Sequence, residues 1–280
     1  MLLFRFLAFF PLPILYLLAD FLCFVAFRVV GYRKRVVWQN LKNSFPEKSD
    51  QELRKIQKQF YKHLAEVFIE TLKVLQISDK ELKKRIKIQN LDLLTRRLQE
   101  GRTVLVLTSH LFNWEWLSHI VAIEQKFPLY FVYQPLNNKF FDKLMLRLRT
   151  RFGQKAIKMQ NVLKDILKNH HQARIVALLA DQSPAGNEKD HWTTFLHQET
   201  AFFAGTEKIA LKLQLPVLFG GVKRLKKGYY ELYFAEIYHP KDLPNTNITE
   251  TYVSLLEKQI RETPANWLWS HKRWKKKKNF

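Results

Sequence analysis

Cysteine is almost missing from this chain: Cys23 is the one cysteine in 280 residues. A disulfide within the chain is impossible, and so is a cysteine-rich metal centre. Cys23 lies in an apolar stretch, which also removes it as a plausible nucleophile. Glycine is scarce, with 8 residues, and they form neither a G-x-G-x-x-G turn nor a P-loop. No G-x-S-x-G elbow and no H-E-x-x-H helix occur, so the usual serine hydrolase and zinc peptidase have no support. No internal repeat is present, and no cofactor or metal ion is expected. Acidic residues are also few: 25 Asp and Glu stand against 47 Lys and Arg, a formal charge of +22. Such a chain attracts polyanions, whether nucleic acid, an anionic membrane face or an acidic protein, and composition alone does not choose among them.

Apolar residues, in contrast, reach 47% and aromatics 14%, with 22 Phe and 7 Trp. Much of this is concentrated in residues 1–31, where Arg5, Asp20 and Arg28 are the only charges. Pro13 to Val30 is an apolar run of 18 residues, close to the roughly 20 that cross a hydrocarbon core. A secretory leader would have a shorter apolar region and a small-residue cleavage site, so a retained membrane anchor is expected. Arg28, Arg33, Lys34 and Arg35 follow the run. Positive flanks mark the cytoplasmic side, which predicts that the remaining mass lies on the cytoplasmic face. Asp20 in mid-segment is costly for a lipid-facing span, and a helix lying in one leaflet would ease that cost.

Beyond the anchor, the periodicity predicts helices over 49–75 and 79–99. From Thr103 the pattern changes to short apolar runs rich in β-formers: Thr103–Thr108, Leu129–Tyr133, Arg174–Ala180 and Pro216–Val222. Helical stretches near 114–125, 138–151, 160–169 and 205–214 separate them. Strands that alternate with helices predict an α/β fold, with a mostly parallel central sheet flanked by helices. Residues 224–228 read as a hairpin loop into an antiparallel strand, Tyr229–Ile237, and a last helix spans 248–262. The expected organisation is an anchor at 1–31, a helical segment at 32–100, an α/β domain at 101–270 and a basic tail at 271–280.

One stretch carries chemistry. Thr108-Ser109-His110-Leu111-Phe112-Asn113-Trp114-Glu115 leaves the C-terminal end of the first strand of the α/β region, where open sheets gather their sites. A carboxylate at Glu115, in the first turn of the next helix, is placed to accept from one imidazole nitrogen of His110. That leaves the other nitrogen free as a base. Spacing alone does not distinguish this from a chance His near a Glu. His119 reads as packing, and His170-His171 as a charged helix end.

The His-x4-Glu pattern resembles the H-x4-D/E motif of glycerolipid acyltransferases. Tyr32–Pro46 (YRKRVVWQNLKNSFP) is similar to the segment that follows the anchor in lipid A lauroyl/myristoyl acyltransferases. Arg149-Thr-Arg151-Phe-Gly153 resembles their R-x-R-F-G block, and Leu179-Ala-Asp181-Gln182 their strand-end D-Q. Phe195-Leu196, Gly205 and Leu215-Pro-Val217 fit the blocks that follow. Trp267-Leu-Trp269-Ser-His271-Lys-Arg273-Trp274 resembles their C-terminal W-x-W-x-H-x-R-W signature. The likeness runs in order along nearly the whole chain. It implies transfer of a fatty acyl group from a thioester, with acyl-carrier protein as donor, to a hydroxyl of a lipid A precursor. It implies His110 as base with Glu115 beside it, and Asn113, Arg149, Arg151, Asp181, Gln182 and Gly205 around the substrates. The basic charge then suits an acidic carrier protein, a phosphorylated acceptor and anionic membrane lipids, with no nucleic acid involved. The chain departs from the family where many members have Phe-Phe-Gly followed by Pro: at that point it has Phe195-Leu196-His197-Gln198-Glu199. A lysophospholipid or aminolipid acceptor is the first alternative, and a non-catalytic, membrane-tethered polyanion binder the second.

Overall fold

Short apolar runs can be buried on both faces only if helices cover both sides of the sheet they build. The computed structural model follows that rule and describes residues 2–184, 190–243 and 247–278. In chain order the strands are β1 (Ile86–Gln89), β2 (Thr103–Thr108), β3 (Leu129–Tyr133), β4 (Lys155–Lys158), β5 (Arg174–Leu179), β6 (His191–Phe195), β7 (Gln198–Phe202), β8 (Val217–Lys226) and β9 (Tyr229–Tyr238). The helices are α1 (Leu2–Phe9), α2 (Leu12–Phe24), α3 (Lys34–Ser44), α4 (Asp50–Lys73), α5 (Asp79–Arg85), α6 (Leu91–Gln99), α7 (Trp114–Glu124), α8 (Lys139–Arg149), α9 (Val162–Asn169), α10 (Gly205–Leu213) and α11 (Ile248–Glu262). Seven strands form one sheet in the order β1-β9-β8-β2-β5-β3-β4, and every pairing is parallel except β8 with β9. The α/β expectation therefore stands. Within β2, Val104, Leu105, Val106 and Leu107 are all buried, as a central strand requires.

Three features differ from the sequence expectations. The stretch 79–99 is not one helix: α5 ends at Arg85, four residues pair with β9 as the edge strand β1, and α6 follows. Asn90 breaks the run, with a left-handed backbone at φ 56°, a conformation Asn tolerates better than most residues. A four-residue edge strand has too little periodicity to register against its helical neighbours. β4 escapes sequence reading for the same reason. So does the β6–β7 hairpin, because its two-residue turn is Leu196-His197, both at positive φ, where such turns normally carry Asn-Gly or Asp-Gly. Burial of Leu196 against the core holds this turn without a glycine.

The apolar N-terminus forms α1 and α2, broken at Pro11, and a single π turn over Val25–Val29. Leu12–Val29 is 18 residues of mean hydropathy 2.0 and is long and apolar enough to cross a membrane. Only 22% of it is buried in the protein, and the rest is half-buried or exposed.

The opposite end of the chain is not a free basic tail. Trp267 and Trp269 are buried, their rings 4.7 Å apart. Asn40 of α3 donates to the carbonyls of Trp269 and His271 at 2.8 and 3.0 Å. Arg273 is buried over the Phe202 ring and donates to the Ala201 carbonyl at 2.7 Å. The post-anchor segment and the W-x-W-x-H-x-R-W segment therefore meet in space, although Asn40 and Trp269 are 229 positions apart in the chain.

Candidate active site

β2 and β5 run parallel in register, Thr108 opposite Leu179, and the Ala180 amide donates to the Thr108 carbonyl at 3.0 Å. Two residues past each strand end lie His110 and Asp181. The adjacency of these two side chains is thus fixed by the sheet itself. Asp181 Oδ1 lies 2.7 Å from His110 Nδ1, while Oδ2 accepts from the His110 amide at 2.9 Å and from Trp267 Nε1 at 2.7 Å. Burial pushes the Asp181 carboxyl up. The His110 charge and these hydrogen bonds outweigh it and hold the carboxyl below its ordinary value. An ionised Asp181 places the imidazole proton on Nδ1, which leaves Nε2 free to accept a proton. Gln182 Nε2 sits 3.3 Å from His110 Nε2, and the Trp114 ring meets the imidazole edge-on at 5.2 Å.

The loop between β2 and α7 is clamped from three sides. The Phe112 amide donates to the Asn266 carbonyl at 3.0 Å, and Leu111 bridges Trp267. Phe112 itself has φ 50°, a strained backbone that persists only where surroundings over-determine it. Asn113 caps α7: its Oδ1 accepts from the Trp116 amide at 3.1 Å, as a helix start requires. Its amide group donates to Glu70 at 2.6 Å. Asn113 is therefore fully engaged beneath the helix.

The sequence assigns Glu115, in the first turn of α7, as the acceptor from His110. The geometry gives that place to Asp181. Glu115 instead forms a bidentate pair with Arg149, from the last turn of α8, at 2.8 and 2.5 Å. The reason is directional. Asp181 approaches from the neighbouring strand end, in line with Nδ1, whereas Glu115 leaves the side of α7 that faces α8. Burial raises the Glu115 carboxyl, and the guanidinium beside it brings the net shift below the usual value. Burial tends to lower the Arg149 pKa, and Glu115 raises it above the ordinary value. Arg151 is not at the site: it donates to the Val74 carbonyl at the end of α4. Gly205 opens α10, where an added Cβ would come within 2.4 Å of the Phe203 ring. The side chains that meet His110 are Asp181, Gln182 and Trp114.

Beside Glu115 and Arg149 a cavity of about 90 Å³ runs between the sheet and its helices. Val106, Phe131, Ala177 and Leu179 line it from the sheet, Leu117 and Val121 from α7, and Leu232 and Phe234 from β9. Glu115 and Arg149 are its only charged lining residues. A pocket this apolar with one ion pair fits an alkyl chain that ends in a polar head.

Sequence reading does not single out Trp267 as the partner of Asp181, although the W-x-W segment draws attention. It also misses Glu70. This carboxylate is fully buried and accepts from Tyr16, Tyr230 and Asn113 at 2.6, 2.7 and 2.6 Å. A Glu on an amphipathic helix gives no sequence signal of such a role.

His119 stands one turn after Glu115, buried, with Nδ1 2.6 Å from Gln154 Nε2. Burial keeps this imidazole neutral, pulling its pKa down to about 4 despite the nearby Glu115. An unfolded His takes up its proton near pH 6.5. Between these values the unfolded chain binds more protons than the folded one. Stability is therefore full above about pH 6.5 and is lost as pH falls towards about 4. The melting temperature is expected to drop across that window, and His119→Gln to flatten part of the drop. Calorimetry of both proteins from pH 7 to about 4 checks this, and parallel curves would refute it.

A family model described as bacterial lipid A biosynthesis acyltransferase matches residues 1–276. The chain is 25% identical over 271 residues to the lipid A biosynthesis palmitoleoyltransferase of Escherichia coli (strain K12), which covers 95% of this chain and 86% of that one. It is 23% identical over 269 residues to the lipid A biosynthesis lauroyltransferase of the same organism, with the same two coverages of 95% and 86%. It is 24% identical over 233 residues to a lipid A biosynthesis acyltransferase of Haemophilus influenzae, covering 82% of this chain and 72% of that one.

Proposed function

Because the chain belongs to the bacterial lipid A biosynthesis acyltransferase family, we propose that it moves a fatty acyl group from acyl-carrier protein to a hydroxyl of a lipid A precursor at the cytoplasmic face of the inner membrane. The observation that carries the reading is the His110–Asp181 pair at 2.7 Å, set at paired strand ends next to an apolar cavity with one ion pair.

In this mechanism the acceptor hydroxyl replaces the Gln182 amide at His110 Nε2. His110 takes the hydroxyl proton as the oxygen attacks the thioester carbonyl. The carbon–sulfur bond then breaks, and the leaving thiolate takes that proton back from the imidazolium. Asp181 holds the tautomer and stabilises the imidazolium. No nucleophilic side chain intervenes, so transfer is direct. Arg149 commits Nε and Nη2 to Glu115, and Nη1 has no hydrogen-bond partner among the described residues. That donor is available to the developing oxyanion. The acyl chain occupies the cavity between the sheet and α7. The formal charge of +22 favours an acidic carrier, a phosphorylated acceptor and anionic lipid headgroups.

The cavity makes a quantitative expectation. Each buried methylene contributes about 0.8 kcal/mol, so the donor KM should fall about fourfold per methylene until the cavity is filled. Ala177→Leu shortens the available space and is expected to shift the preferred donor to a shorter chain. Competition between acyl-carrier proteins of graded chain length measures this. An unchanged preference would mean the chain lies elsewhere.

The function as a whole is tested by expression in a strain lacking its own copy, with membrane lipids analysed by mass spectrometry. A lipid A species one acyl chain heavier is expected. An extra chain on a phospholipid or aminolipid instead would keep the chemistry and overturn the acceptor. No change in any lipid pool, with the protein present in the membrane, would overturn the enzyme reading.

A further inference from the structure

Taking as its basis the reading of this chain as a membrane enzyme, we infer that α1 and α2 do not cross the bilayer but lie within one leaflet, along the catalytic domain, and that the lipid-facing surface continues onto the start of α8.

The contacts of the anchor form a ladder. Lys73 Nζ donates to the Ala8 and Phe10 carbonyls at 2.8 Å each. Tyr16 donates to Glu70 at 2.6 Å, and Asp20 lies 4.0 Å from Lys62. The Phe27 and Tyr61 rings are 4.9 Å apart, and Gln57 donates to the Lys34 carbonyl at 3.1 Å. As the anchor residue rises from 8 to 34, its α4 partner falls from 73 to 57. The apolar segment is thus antiparallel to α4 and touches it from end to end. A spanning helix leaves its domain behind, and its far end meets only lipid. In this protein the far end is closed by a lysine of the domain.

For Leu12–Val29 to cross the hydrocarbon, α4 would have to enter with it. That helix carries Lys55, Lys58 and Lys62 and uses Glu66 to hold Arg224 at 2.7 Å and Lys227 at 3.3 Å. Lys227 Nζ also stands 4.3 Å from the Tyr16 ring, beside the body of α2. Charges at that depth cost several kcal/mol each. The side of α2 against the domain is Leu12, Leu15 and Ala19 with the Tyr16–Glu70 hydrogen bond among them, so the helix packs along the domain surface instead of leaving it.

The outward side presents Leu2, Phe6, Phe9, Leu17, Phe21 and Phe24, each more than half exposed. It continues beyond the anchor. The Phe4 ring lies 6.2 Å from Phe140, and Phe140 and Phe141 on the first turn of α8 are 44% and 46% exposed. Lys139 and Lys143 beside them are also exposed, placed for anionic headgroups. α8 carries Arg149 at its other end, so this contact ties the ion pair at the cavity to the membrane surface. Asp20, exposed and paired at long range with Lys62, sits at a polar edge rather than mid-bilayer.

Two single-cysteine proteins decide the topology, both in a Cys23→Ser background: Arg5→Cys before α2 and Lys42→Cys after it. Both positions are exposed. Spheroplasts are treated with a membrane-impermeant maleimide before and after permeabilisation. The expected result is the same sidedness for both, with labelling only after permeabilisation. Labelling of Arg5→Cys alone in intact spheroplasts would mean a spanning helix and overturn the inference. Labelling of both from outside would support one-leaflet anchoring and overturn the cytoplasmic placement instead. Recovery of both in the soluble fraction would overturn the membrane reading on which the inference rests. The α8 contact is tested with the purified full chain and vesicles of phosphatidylglycerol and phosphatidylethanolamine. Phe140→Ser with Phe141→Ser is expected to lower partition about tenfold or more, and unchanged partition would remove α8 from the lipid-facing surface.

Discussion

His110→Ala is expected to lower kcat for acyl transfer by about 10³-fold or more while the protein still folds and reaches the membrane. The imidazole side chain is 14% exposed and touches Asp181, Gln182 and Trp114. Removing it leaves Asp181 Oδ2 with its other two donors, the residue 110 amide and Trp267 Nε1. The fold therefore loses one hydrogen bond, whereas the reaction loses its base. Donor KM should change little, because in the proposed mechanism the acyl chain occupies a cavity that His110 does not line. The measurement is steady-state kinetics in detergent, with thermal melting of the same samples. A kcat within tenfold of wild type, with an unchanged melting temperature, would remove His110 as the base.

The second large effect separates the two carboxylates. Asp181→Asn keeps size and shape but turns an amide or a weaker acceptor towards His110 Nδ1. The wrong tautomer then blocks Nε2, and kcat should fall by about 10³- to 10⁴-fold with little change in melting temperature. Glu115→Gln acts differently. It leaves the Arg149 guanidinium without its bidentate partner, and breaking a buried pair costs about 3–5 kcal/mol. A lower melting temperature should therefore accompany its loss of activity, along with a raised donor KM from the altered cavity. If Asp181→Asn retains most activity and Glu115→Gln abolishes it without loss of stability, then Glu115 is the group that orients His110. Asp181 would in that case be the structural carboxylate of the two.

Both expectations turn on geometry that the sequence shows only in part. The His-x4-Glu spacing locates the loop, because a strand end followed by a helix start is visible in the change from β-formers to helical periodicity. It does not pair the residues. Spacing along the chain favours Glu115, a near neighbour, over Asp181, 71 positions away. Only the parallel register of β2 with β5 brings the latter to Nδ1. Arg149 and Arg151, separated by a single residue, read alike in sequence. One ends on Glu115 and the other on the Val74 carbonyl: Arg149 is the last residue of α8, and Arg151 lies beyond the helix end.

The sequence by itself determined the apolar N-terminal segment, the alternation of strands and helices, four strands with clear apolar runs, the antiparallel strand after them and the loop that carries His110. Each of these is local: it follows from hydropathy period, turn chemistry or charge within one segment, and needs no partner to be legible. Tertiary structure alone decided the partners. It placed Asp181 and Trp267 on one oxygen and Glu115 on Arg149, and it brought Asn40 of the post-anchor helix onto the C-terminal tryptophan segment. It also laid the anchor antiparallel against α4. The physical reason is that a hydrogen bond or an ion pair is selected by distance and direction in space. Those are set by strand register and helix packing across separations that leave no periodic trace in the chain.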